Sequence, residues 1–114
     1  MTRILTPDMV IQELQRLIGE SAKAPNAIYD AECKLADCEF EYDRVYNLSL
    51  LNSEGAVAVR EAIAKLDAAE ARLAADLAKA ELNRIRNKTK QLTDAGMLTA
   101  TMAKQVELTY KHGN

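Results

Sequence analysis

The sequence predicts an all-α fold: a long antiparallel helical hairpin with a shorter N-terminal helix. Three observations predict it. The stretch from Ala56 to Leu92 runs for about ten helical turns without Pro or Gly and is crowded with alanine. Apolar residues elsewhere recur at steps of three and four, the helical spacing. The whole chain has only four Gly, two Pro and no Trp, with aromatics at 4%, a composition that helices and coiled coils use.

The elements follow in order. Thr6, Pro7 and Asp8 form a helix start: Thr caps, Pro suits the first helical position and Asp suits the positive end of the dipole. A first helix is expected over about 7–22, with Met9, Val10, Leu14, Leu17 and Ile18 as its apolar stripe. Pro25 disfavours helical geometry at Ala24 and then opens a second helix over about 25–52. There Ile28, Ala31, Leu35, Cys38, Tyr42 and Val45 make a heptad seam, with Tyr46 widening it and Phe40 lying off it. The outer positions of this helix are distinctly acidic: Asp30, Glu32, Asp37, Glu39, Glu41 and Asp43 stand against Lys34 and Arg44.

Asn52, Ser53, Glu54 and Gly55 form the one clear turn, of a length that joins antiparallel helices. A third helix is expected over about 56–94, burying Val59, Ile63, Leu66, Leu73, Leu77, Ile85 and Leu92, with Ala69 and Ala80 helping. Gly96 is placed to end it at a left-handed cap, leaving a short last helix over about 98–110; the alternative is a helix continuing through Gly96 at a cost of about 1 kcal/mol. The final residues, 111–114, read as a frayed tail.

One domain, 1–114, fits this length. Pairing the two long helices from the turn sets residue 52−k against residue 56+k, so Asp43 meets Lys65 and Asp30 meets Ala78. The far end of the third helix then overhangs, and only the first helix or another copy can cover Ile85 and Leu92. A homodimer of hairpins, or a higher helical oligomer, is therefore expected, with Tyr42, Tyr46, Leu73, Leu77, Ile85 and Leu92 as its self-association residues.

Chemistry is poorly provided for. His112 is the sole histidine and stands in the tail. Carboxylates of the second helix are spread around its surface, so no catalytic, metal or cofactor site is expected. Cys33 and Cys38, about 140° apart on a helix, read as free thiols, buried or half-buried, in a reducing compartment. No apolar run approaches the ~20 residues of a membrane span, and the N-terminus lacks the apolar core of a signal peptide. A cytoplasmic protein without membrane contact is the expectation. The net charge of −2 selects no partner. Positive charge collects locally at Arg84, Arg86, Lys88 and Lys90, a candidate contact for nucleic acid or for an acidic protein surface. The plainer reading is that cations near a helix C-terminus favour the dipole or pair with an acidic neighbour.

The segment from Tyr29 to Leu92, with GAVAVREAIAKL after the turn, resembles small helical-hairpin proteins of tailed phages and prophages, often of actinobacteria. Gly55, Val57, Ala58, Arg60 and Glu61 carry the likeness. Family members often have Ser at the place of Ala56 and an acid at that of Val59, a cap missing here. The resemblance implies a helical hairpin and a non-enzymatic phage accessory protein, encoded near recombination and replication genes. It implies no catalytic residues. Its alternatives are a host-directed protein docking on a bacterial partner and a structural coiled-coil scaffold.

Overall fold

The structure, a computed structural model, describes residues 6–112, apart from the side chains of Tyr110 and His112. The described residues are all-α and form four helices: α1 (Pro7–Ser21), α2 (Ala24–Asn52), α3 (Val57–Asp67) and α4 (Ala69–His112). They form two compact units. One contains α1, the first residues of α2 and the part of α4 from Arg86 onward; the other spans Ala27–Ile85.

In the first unit, Thr6 caps α1 as its sequence predicts: its Oγ1 accepts from the Met9 N–H at 3.3 Å. Val10 and Leu17 are buried, and Met9 and Leu14 half-buried. Ile18, expected in the same stripe, is exposed. In the same unit Leu92, Thr99, Met102 and Val106 of α4 are half-buried. Leu92 is thus covered by its own chain, in the unit to which α1 belongs, which is one of the two coverings the sequence allows.

The expected stop at Gly96 does not occur. The short C-terminal helix over 98–110 is present as the last part of α4, joined without a break. Gly96 keeps helical geometry, and a side chain there would meet no atom within 4 Å. With favourable residues on both sides, continuing the helical hydrogen bonds outweighs the modest propensity cost of one glycine.

The second unit is the hairpin. Gly55 makes its turn with φ +112°, a conformation L side chains rarely adopt. The Ser49 hydroxyl donates to Asp67 Oδ2 at 2.6 Å, and Lys34 lies close enough to Glu81 to lower its pKa. Pairing from the turn would instead set Ser49 against Val59 and Lys34 against Ala74. The register is therefore shifted by about two helical turns, and the predicted pairings of Asp43 with Lys65 and Asp30 with Ala78 are corrected accordingly. Pairing outward from the turn assumes that both helices start level with it, and the connection through Gly55 and the extended Ala56 (ψ 151°) does not impose that.

Arg60 makes use of that offset. It reaches back so that Nε and Nη2 donate to the Leu50 carbonyl, at 3.2 and 2.6 Å. Leu50 is in the last turn of α2, where carbonyls lack helical partners. Charge-assisted bonds to such a group are among the stronger ones. Arg60→Ala is expected to destabilise the hairpin by about 1–2 kcal/mol, measurable by urea denaturation. Arg60→Lys should recover only part of this, since a single ammonium cannot reproduce the fork.

The predicted single rod is interrupted at Ala68, whose φ −93° and ψ 4° leave the helical region. Hydrogen bonding continues across the join: Ala68 N–H donates to Ala64 O, and Ala68 O accepts from Arg72 N–H, both at 2.9 Å.

The seam of α2 is the predicted one, with Ala31 buried and Ile28, Leu35, Cys38, Tyr42, Val45 and Tyr46 half-buried. The facing seam is different from the prediction. Ala64, Ala68, Ala78 and Leu82 are buried, and Ala71 and Ala75 half-buried. Val59, Ile63, Leu66, Leu73 and Leu77, expected inside, are exposed, as are Ala69 and Ala80. Small side chains let the helix axes approach, and the bulk of α2's tyrosines and leucine then fills the space between them.

Candidate functional surfaces

α3 and the start of α4 carry two apolar rows. The inner row is the alanine seam. The outer row is Val59, Ile63, Leu66, Leu73, Leu77 and Ala80, at steps of three, four and seven, interrupted by Glu70. At 100° per residue the two rows lie about 150° apart, nearly opposite. Leu66 is 78% exposed, Leu73 59% and Leu77 62%. A row of this length on one side of a helix is more than the scattered apolar residues of an ordinary surface.

The six residues expected to mediate self-association therefore separate. Tyr42 and Tyr46 are half-buried in the hairpin seam, their rings stacked with centroids 6.0 Å apart. Ile85 and Leu92 are half-buried along α4. Only Leu73 and Leu77 face outward. The alternation of alanine with leucine around the helix could have revealed two rows rather than one; which row turns inward depended on the neighbour.

The four candidate phosphate-binding cations are all exposed on α4. Helical geometry puts Arg84 with Lys88 on one side and Arg86 with Lys90 about 200° around from them. Arg84 is engaged: its Nε and Nη2 donate to Glu81 at 3.1 and 2.7 Å. That hydrogen bonding holds the Glu81 carboxyl below its ordinary range, with Lys34 adding a smaller pull. Glu41 is depressed in the same way by Arg44, whose Nε donates to it at 2.9 Å.

Cys33 is exposed, against the expectation of a buried or half-buried thiol, because it lies off the seam; Cys38 is half-buried, and both are free. A contact with Cys33 is the first cause of an upward shift of the Tyr29 phenol. Among the described residues no group of three His, Cys, Asp or Glu side chains is gathered to hold a metal ion. No helix among them is long and apolar enough to cross a membrane.

No protein-family model, curated protein or solved structure matches this chain.

Proposed function

We propose that the chain is a non-enzymatic helical interaction protein that docks a protein partner along the outer row of α3 and α4. The exposure of Val59, Ile63, Leu66, Leu73 and Leu77 carries this reading. An apolar row laid along one helix face is the kind of surface that receives another helix. The likeness around Gly55 and Arg60 supports a setting among phage or prophage accessory proteins. Those two residues build the turn and cap α2, so the likeness bears on architecture and not on activity.

A triple variant, Leu66→Glu, Leu73→Glu and Leu77→Glu, tests the docking face. It should keep its helical circular-dichroism spectrum, because these side chains bury little in the chain itself. Affinity capture from nuclease-treated host lysate should return one stoichiometric protein with the wild type and none with the variant. Capture of the same protein by both would remove the outer row as the docking face.

A role in DNA recombination or replication is the second reading, supported by the exposure of Lys88 and Lys90. The division of the four cations between two sides of α4 works against it, because those four do not line one continuous track. Gel-shift assays at low salt with single- and double-stranded DNA decide it. The reading requires a shift that is lost when Arg84, Arg86, Lys88 and Lys90 are all changed to Gln.

A further inference from the structure

Two other outward faces, one in each unit, are opposite in charge and similar in length. On α2, Tyr29, Phe40 and Leu51 are spaced eleven residues apart and so share one line, together with Cys33 and Ala36. All five are exposed, Phe40 at 70%. Asp30, Asp37 and Asp43, also exposed, flank this line. α2 has six acids against Lys34 and Arg44, and the segment it pairs with, 57–85, has as many acids as bases. Net of Lys34 and Arg44, α2 therefore keeps an excess of acid that the 57–85 segment does not balance in number.

On α4, Arg86, Lys90, Met97, Lys104, Leu108 and Lys111 recur at steps of three, four and seven and fall on one side. All are exposed. Only two acids occur in this segment, Asp94 and Glu107, and both are turned away from that line by about 60° or more. The opposite side of the segment holds the half-buried Leu92, Thr99, Met102 and Val106. The α2 line is about 33 Å long and the α4 line about 37 Å.

We propose that these faces meet between two copies of the chain, the acidic aromatic side of α2 in one copy docking on the cationic side of α4 in the other. Carboxylates at the rim of the Tyr29–Phe40–Leu51 line stand where the lysines flanking Met97 and Leu108 can reach them, and the apolar groups lie between. Contacts among exposed charges are screened by salt and favour encounter and orientation over tight affinity. The association is therefore reversible and salt-sensitive. It is separate from the leucine row and does not depend on what docks there.

Sedimentation equilibrium on nuclease-treated protein tests it. Raising the salt from about 50 mM to about 500 mM should weaken the wild-type self-association by about tenfold or more. Two variants are made, one with Asp30→Lys, Asp37→Lys and Asp43→Lys, the other with Lys90→Glu, Lys104→Glu and Lys111→Glu. Each should be a folded monomer by circular dichroism and sedimentation, and an equimolar mixture should associate again through the reversed charges. The Leu66, Leu73 and Leu77 variant described above should still self-associate. Wild-type protein that stays monomeric at low salt overturns the proposal, including the case in which its α4 face binds duplex DNA instead. So does self-association abolished by the leucine variant but untouched by both charge variants, or a mixture that does not recover association.

Discussion

Ala64→Leu and Ala68→Leu are each expected to destabilise the hairpin by about 1–3 kcal/mol, even though leucine is the commoner core residue and at least as hydrophobic. Both alanines are 0% exposed. A larger side chain at either must push α2 away or take a strained rotamer, because interiors are close-packed and have no room for three more carbons. Leu66→Ala, two residues from Ala64 on the other side of the helix and 78% exposed, should change stability by no more than about 0.5 kcal/mol, as surface substitutions generally do. Urea denaturation followed by circular dichroism compares all three. Were Leu66→Ala the costly change and Ala64→Leu the harmless one, the inward face of α3 would have to be the leucine row after all.

Leu82→Ala should be costly in the opposite direction, by removing material. Leu82 is 4% exposed and is the one large side chain among the buried residues of the inner row. Truncation leaves a cavity as well as losing transfer energy, together about 2–5 kcal/mol. Leu77→Ala, little more than one turn away but 62% exposed, supplies the control and should lie near zero in the isolated chain. Leu82→Met should recover most of the loss, since it conserves volume, typically at a cost under about 1.5 kcal/mol. Thermal and urea melts of the three variants give the comparison. Equal losses from Leu77 and Leu82 would contradict the two-row arrangement, unless the Leu77 loss disappeared on dilution, which would trace it to an intermolecular contact.

Much of the architecture was legible in the residues. Thr6 and Pro7 announce the start of α1, Pro25 the start of α2, and Gly55 the turn, each by a local backbone constraint that no packing is needed to impose. The α2 seam was equally legible, because Ile28 to Val45 keep a strict alternation of three and four, whereas Tyr29, Phe40 and Leu51 outside it recur only every eleven residues among charged neighbours. α3 and α4 are harder because two rows compete there. Leucine is the more hydrophobic, so a reading from one helix alone turns it inward. The alanine row faces the seam to which α2 contributes Leu35, Tyr42 and Tyr46, and small residues there leave room for those larger side chains. Gly96 failed as a stop signal for a related reason: a glycine is a cap only where the chain has something to gain by turning.

The surfaces proposed for function were only partly visible. Exposure of Leu73 and Leu77 depended on the choice of row. The cationic side of α4 depended on the helix running unbroken from Ala69 to His112, since a stop at Gly96 would have separated Lys90 from Lys104 and Lys111. Arg84 stood out as a cation in the sequence, but its engagement by Glu81 is a side-chain choice that spacing permits and does not compel.

By itself the sequence determined that this chain is helical, where its turn falls and which side of α2 faces inward. These follow from backbone preferences and from a periodicity with only one consistent solution. The tertiary structure decided the register of the hairpin, the inward row of α3 and α4, and hence which leucines remain outside. Each of those is a comparison between two packings of similar hydrophobicity, and the energies that separate them belong to the contact between helices and not to either helix alone.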